Sequence, residues 1–287
     1  MGTETKGYNL TIAVNNFNLS YDDVGECDVP VIFLHGYPFD KTMWQGQLDL
    51  LKKDYRLIAC DIRGFGQSSD ETSVLSMELF SGNLIAFMDT LKIKKAILCG
   101  LSMGGFIALN VVEKFPERFE ALILCDTQCI ADTPEVKEKR YKTIEEIGAK
   151  GVTEFNEGFI KSVFCKDAWL NKTELVKRLS SVVFANSQTI ITKGLIALAE
   201  RPETCATLYK ITMPTLIICG REDEVTPLPQ SEFMHTNIKG SLLAVIDNAG
   251  HVSNLEQPDA FNKHLLDFLT NLANSDLTKN KEKQGVV

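Results

Sequence analysis

The chain has 287 residues, 44% of them hydrophobic and 24% charged, with a formal net charge of −8. That length suits one large α/β domain or two small ones, and the apolar share is ordinary for a chain that buries a full core. The acidic balance argues against nucleic acid or an anionic membrane surface as partner, and no apolar run approaches the ~18 residues of a membrane span.

The N-terminus, MGTETKGYNL, lacks the basic and apolar regions of a signal peptide. Leu10–Val14 and Phe17–Tyr21 alternate as an antiparallel hairpin turned at Asn15-Asn16. Val31–Leu34 is wholly apolar, as in the buried middle of a parallel sheet, and runs into His35-Gly36-Tyr37-Pro38. Thr42 to Lys52 carries a helical period. Arg56–Cys60 is the next strand, ending in Asp61-Ile62-Arg63-Gly64-Phe65-Gly66-Gln67-Ser68. The Gly-x-Gly there is no dinucleotide fingerprint, because Ser69 stands where the third glycine belongs, so the segment reads as a structural turn.

Ser76 to Leu91 is an amphipathic helix, Ala96–Cys99 a strand, Ser102 to Phe115 a helix stopped before Pro116, and Ala121–Cys125 another strand. This alternation predicts a mostly parallel sheet with helices on both faces. From 128 to 210 the pattern changes to helical periods alone: Pro134 to Ala149, Val152 to Phe164, Lys172 to Ser187, and Ile190 to Tyr209 interrupted by Pro202. A helical block between two strands of one sheet predicts a cap over the strand ends. Strands Thr215–Cys219 and Leu242–Ile246 and a helix Pro258 to Leu272 close the chain. The predicted organisation is a core of 1–127 and 211–273, a cap of 128–210, and a disordered polar tail of 274–287.

Of eight cysteines, Cys60, Cys99, Cys125 and Cys219 each close a buried strand, as small hydrophobes do. Unpaired cysteines without a signal peptide predict a cytoplasmic protein. No Cys-x-x-Cys pair and only four histidines argue against a metal site, and nothing implies a cofactor.

The chemistry centres on Gly100-x-Ser102-x-Gly104, between a strand and a helix. A serine hydroxyl is a weak nucleophile and must stand clear of the backbone where a base can reach it, which a sharp strand-to-helix turn achieves. His251 follows the strand Leu242–Ile246 and is the candidate base. Asp223 follows Thr215–Cys219 and is the candidate acid, with Glu222 and Asp126 as alternatives. All three candidates sit past the C-terminal ends of strands, where open α/β sheets bind ligands. The N–H of Met103, after the nucleophile, and that of Tyr37, in the loop after Leu34, would form the oxyanion hole. His35 reads as structural.

Together, His35-Gly36, the Asp61-to-Ser68 turn, Gly100-x-Ser102-x-Gly104-Gly105, Asp223 and Gly250-His251 resemble the α/β-hydrolase superfamily over about residues 10 to 272. Within it, Leu122 to Gly151 and Ala249 to Phe261 resemble the 3-oxoadipate enol-lactone hydrolases; where those have Arg-Trp-Phe in the cap, this chain has Ser162-Val163-Phe164. The resemblance implies an α/β-hydrolase fold with a helical cap and a serine hydrolase acting on a small ester or lactone through an acyl-enzyme. Cap residues Phe155, Phe159, Phe164 and Trp169 would shape an apolar pocket or pack the cap itself. Two other readings stay open: a ligand receptor that keeps the triad, and a cofactor-free perhydrolase, for which Pro38 matches the loop proline of the haloperoxidases. Homo-oligomerisation also stays open.

Overall fold

The computed structural model describes residues 6–70 and 74–283. Its strands are β1 (Gly7–Val14), β2 (Phe17–Val24), β3 (Val31–Leu34), β4 (Leu57–Cys60), β5 (Ala96–Leu101), β6 (Phe119–Cys125), β7 (Thr215–Gly220) and β8 (Leu242–Ile246). They form one sheet in the order β1-β2-β4-β3-β5-β6-β7-β8. β1 and β2 pair antiparallel, as do β2 and β4; every other neighbouring pair is parallel. The chain leaves β3 towards β4 on one side and returns to β5 on the other. That reversal opens the crevice in which such sheets bind ligands, beside the ends of β3 and β5.

β3, β4 and β5 are buried at every position. Alternate side chains point to opposite faces, so both faces need apolar residues. Val31 and Phe33 pack on the face that also holds Trp44 and Phe261, whereas Ile32 and Leu34 pack on the other, with Phe87 and Ile107. Truncating one of these large aliphatics to alanine would cost about 2–5 kcal/mol.

Helices α1 (Gln45–Leu51), α2 (Met77–Thr90) and α3 (Met103–Lys114) connect the strands up to β6. Five more lie between β6 and β7: α4 (Pro134–Lys150), α5 (Thr153–Ser162), α6 (Lys166–Asn171), α7 (Thr173–Ala185) and α8 (Gln188–Ala199). Thr133 caps α4 through its side chain, with Pro134 at the first turn, and Ser187 caps α8 in the same way. The sequence reading missed α6, whose N-cap is the Cys165 sulfur accepting from the Ala168 N–H. The last cap period breaks before Pro202: α8 ends at Ala199, and a 3-10 turn follows at Cys205–Lys210. α9 (Leu228–Asn237) joins β7 to β8, and α10 (Ser253–Glu256) and α11 (Pro258–Lys283) follow β8.

Two expectations need correction. Cys129 and Cys205 form a disulfide, a pairing that the expectation of many unpaired cysteines did not include. They lie 76 residues apart, and the two stems of the helical block meet there, where the Thr204 N–H donates to the Cys129 carbonyl at 2.9 Å. The other cysteines are free. α11 also runs past Leu272 to Lys283, through most of the stretch 274–287 expected to be disordered, because no proline or glycine interrupts it before Gly285. Residues 284–287 lie outside the described residues. Among the described residues, no single helix is long and apolar enough to cross a membrane.

Candidate active site

Ser102 stands between β5 and α3 with φ 53° and ψ −113°, a conformation that is uncommon and strained for a side-chain-bearing residue. Backbone contacts hold it there. The Ser102 N–H donates to the Cys125 carbonyl at 2.9 Å, and Thr127 Oγ1 donates to the Ser102 carbonyl at 2.8 Å. The flanking glycines are required by close approach. A Cβ on Gly100 would lie 2.3 Å from the Gly104 carbonyl oxygen, and one on Gly104 would lie 2.4 Å from that of Leu34. Both obstacles are backbone. Gly104→Ala is therefore expected to destabilise the fold by about 1–3 kcal/mol, read as a lowered midpoint in urea. An unchanged midpoint would mean that α3 can move away from β3 at no cost.

The ends of β7 and β8 bring two more candidates to this point. His251 Nε2 lies 2.8 Å from Ser102 Oγ, and His251 Nδ1 lies 2.9 Å from Asp223 Oδ2. Asp223 Oδ1 accepts from the N–H groups of Val225 and Thr226 at 2.8 and 2.9 Å, while Thr226 Oγ1 donates to Oδ2 at 2.8 Å. With Oδ1 so occupied, Oδ2 is left to face the imidazole. The His251 N–H donates to the Val163 carbonyl at 2.8 Å, tying the base loop to the end of α5. Glu256 strengthens that tie: its carboxylate accepts from the Gly250 N–H at 2.7 Å and the Cys165 N–H at 2.9 Å.

Of the two alternative acids, Glu222 is exposed, and its N–H donates to the Ala249 carbonyl. Asp126 is fully buried but accepts from Gly220 and Ser253 rather than from His251. The geometry thus brings Ser102, His251 and Asp223 into one chain of hydrogen bonds and leaves the alternatives outside it.

Electrostatics follow from burial and from these contacts. Burial opposes charge on His251, but Asp223, Asp126 and Glu256 outweigh it and raise its pKa above the ordinary 6.5. Burial likewise opposes ionisation of Asp223, yet the imidazole and the Thr226 contacts pull its pKa below the ordinary value. Asp126 is pushed up to about 8, first by burial and then by the neighbouring Asp223.

Asp126, Cys219 and Asp223 place three potential metal-ligand atoms within 4.8 Å of one another. The donor set is poor for a cation. Burial raises the Cys219 thiol far above its usual range, and both carboxylates are already engaged by N–H and O–H donors.

Tyr37 and Met103 flank the nucleophile from β3 and α3. Among the described residues neither N–H donates to a loop or turn carbonyl. The Tyr37 hydroxyl donates to the Ile191 carbonyl at 2.9 Å, and Asn186 Nδ2 donates to the Pro38 carbonyl at 2.8 Å, so α7 and α8 grip the Tyr37-Pro38 loop. His35 is structural, as the sequence suggested. Its Nε2 accepts from the Ile62 N–H at 2.9 Å, Nδ1 faces the Gly36 carbonyl, and burial lowers its pKa.

A cavity of about 530 Å³ lies between α4 and α5, lined by Arg140, Ile147, Lys150, Phe155, Phe159 and Ser162 among others. None of Ser102, Asp223 or His251 lines it. Phe159 stands between, its ring centroid 5.9 Å from that of Tyr37 and 5.8 Å from that of Phe39. Phe164 instead packs with Trp169, so the four aromatics of the helical block divide into two pairs, Phe155 with Phe159 and Phe164 with Trp169. Arg140 and Arg201 both pair with Asp132, and the cavity lined by Arg140 also carries Lys150, Glu146 and Glu154.

Sequence reasoning missed Thr127, Glu256 and Asn186 as partners of the site. Thr127 and Glu256 left a trace, as members of the segments Leu122 to Gly151 and Ala249 to Phe261; Asn186 left none.

The family model described as alpha/beta hydrolase fold matches residues 29–258. The chain is 31% identical over 262 residues to 3-oxoadipate enol-lactonase 2 of Acinetobacter baylyi, covering 88% of this chain and 93% of that protein. Among solved structures, an esterase from Thermogutta terrifontis superposes with a TM-score of 0.87 at 30% identity, covering 92% of this chain and 98% of that one. The enol-lactonase from Burkholderia xenovorans superposes with a TM-score of 0.84 at 27% identity, covering 91% and 100%.

Proposed function

The chain belongs to the alpha/beta hydrolase fold family, and on that footing we propose that it hydrolyses a carboxylic ester or lactone through an acyl-enzyme on Ser102. The observation that carries this reading is the unbroken chain Ser102 Oγ–His251 Nε2–Asp223, with links of 2.8 and 2.9 Å. The Ser102 hydroxyl attacks the carbonyl carbon as His251 Nε2 takes its proton, and Asp223 holds the resulting imidazolium. The N–H groups of Tyr37 and Met103 receive the oxyanion. The C–O bond to the leaving alcohol then breaks, and His251 returns the proton to that oxygen. Water repeats the sequence on the acyl-enzyme, releasing the acid and restoring Ser102. The helical block of 128–210 serves as a cap.

Relatives named as enol-lactonases and an esterase support this class of substrate. The test is turnover of short p-nitrophenyl esters. Wild type should far exceed Ser102→Ala, and a wild type no faster than that variant would mark a ligand-binding protein instead.

Arg140, which shares Asp132 with the buried Arg201, is the arginine of this block placed to meet a substrate that carries its own carboxylate. Arg140 lines the cavity between α4 and α5 and acts on Tyr37 electrostatically. A charge-assisted hydrogen bond contributes about 1.5–3 kcal/mol, so Arg140→Gln should raise KM for a carboxylate-bearing ester or lactone by about tenfold or more. KM for a neutral ester of the same size should hold steady. Equal changes for both would remove Arg140 from substrate recognition.

A further inference from the structure

Two consecutive residues at the end of β6 reach all three loops of the site. Thr127 holds the Ser102 carbonyl through its hydroxyl at 2.8 Å. Asp126 reaches the other two. Its Oδ1 accepts from the Gly220 N–H at 2.8 Å, at the start of the turn that carries Asp223. Its Oδ2 accepts from Ser253 Oγ at 2.6 Å and from the Ser253 N–H at 3.3 Å, two residues beyond His251. The Asp126 N–H donates to the Ile218 carbonyl at 2.8 Å, which fixes the residue against β7.

Two features of Asp126 are costly in a residue of no consequence. Its φ of 44° lies in the left-handed region, where a side-chain-bearing residue is disfavoured. Its carboxyl group is completely buried, which is unfavourable unless every oxygen is satisfied. Both costs are borne at a place from which one side chain reaches both the acid loop and the base loop.

We propose that Asp126 is a positioning residue: its carboxyl group ties the loop of Asp223 to the loop of His251 and so keeps the imidazole aligned between Asp223 and Ser102. This inference rests on the proposed serine-hydrolase reading. The titratable groups facing Asp126 are Asp223 and Cys219 from the β7 side, His251 from the β8 side and Cys125 on its own strand. Burial and the neighbouring Asp223 push the Asp126 pKa up to about 8, so an uncharged side chain of the same shape is less costly there. Asparagine is then a close mimic. Its carbonyl can accept from the Gly220 N–H while its amide donates to Ser253 Oγ, with loss of the longer contact to the Ser253 N–H.

The experiment compares wild type, Asp126→Ala and Asp126→Asn on a p-nitrophenyl ester across pH, with Ser102→Ala as control. Misplacing a reacting group by about 1 Å can cost about 100-fold, so Asp126→Ala should lose about 10- to 100-fold in kcat with KM changed by less than about threefold. The acid limb of its kcat/KM profile should move to lower pH, because His251 loses steady contact with the carboxylate that raises its pKa. Asp126→Asn should recover both kcat and the limb for the most part. A residue that only stabilised the fold would lower the melting temperature without moving that limb. Asp126→Ala with wild-type kcat and an unmoved limb would overturn the inference, as would Asp126→Asn as impaired as Asp126→Ala. If Asp126→Ala does not fold, Ser253→Ala removes the 2.6 Å contact alone; a loss in kcat at constant KM supports the tie, and wild-type kcat overturns it. Turnover that survives Ser102→Ala would instead strike at the hydrolase reading itself.

Discussion

Replacing Ser102 with alanine is expected to lower ester turnover by about 10⁶, the scale on which a dismantled triad loses rate. The side chain supplies the only atom from which the acyl-enzyme can be built, and nothing beside it can substitute: Thr127 Oγ1 is committed to the Ser102 carbonyl. Alanine keeps the Cβ, so the turn at φ 53° loses no space and gains no clash. The variant should therefore fold and melt close to wild type while losing its chemistry. A fluorophosphonate probe gives a direct reading, because it reacts with an activated serine and leaves a covalent adduct. Wild type should be labelled and Ser102→Ala should not. Equal labelling of the two would place the nucleophile elsewhere.

The parallel part of the fold was legible because its physics is local. Strands buried on both faces must be apolar at every position, and β3, β4 and β5 are short unbroken apolar runs between polar turns. Helices carry their own period and stop signals, hence the agreement at Pro116 and the split before Pro202. Where local signals are absent the reading failed. α6 is six residues long and begins at a cysteine, a residue rarely read as a cap. The end of α11 has no breaker to mark it. The Cys129–Cys205 disulfide joins stems 76 residues apart and could be seen only once both were folded onto the sheet.

The site divides along the same line. Ser102, Asp223 and His251 could be read because each follows a strand, and parallel strands deliver their C-terminal ends to one edge. The choice among Asp223, Glu222 and Asp126 could not be made that way, since all three follow strands. Geometry separates them: Glu222 faces solvent, Asp223 meets His251, and Asp126 joins residues 94 and 127 positions away. Long-range hydrogen bonds of this kind leave no periodicity and no spacing in the sequence.

Asp223→Asn is expected to cost about 10⁴ in turnover, and the structure explains why a change of one atom should do so. Asp223 Oδ1 is pinned by two backbone donors, Val225 N–H at 2.8 Å and Thr226 N–H at 2.9 Å. An asparagine must keep its carbonyl oxygen there, because turning the amide around would leave three donors facing one another. Its NH₂ then replaces Oδ2 and points at His251 Nδ1. That nitrogen can no longer carry a proton and must accept a hydrogen bond from the amide. The imidazole is forced into the tautomer with its proton on Nε2, 2.8 Å from Ser102 Oγ, where a base is needed. The hydroxyl proton has nowhere to go. The residual activity should also show its acid limb at lower pH. His251 is held above 6.5 by the Asp223 charge against the opposing effect of burial, and loss of that charge lets burial dominate. Hydrolysis of a p-nitrophenyl ester by Asp223→Asn and Asp126→Asn, side by side across pH, reads both effects. A collapse in Asp126→Asn with near wild-type turnover in Asp223→Asn would move the acid to the end of β6.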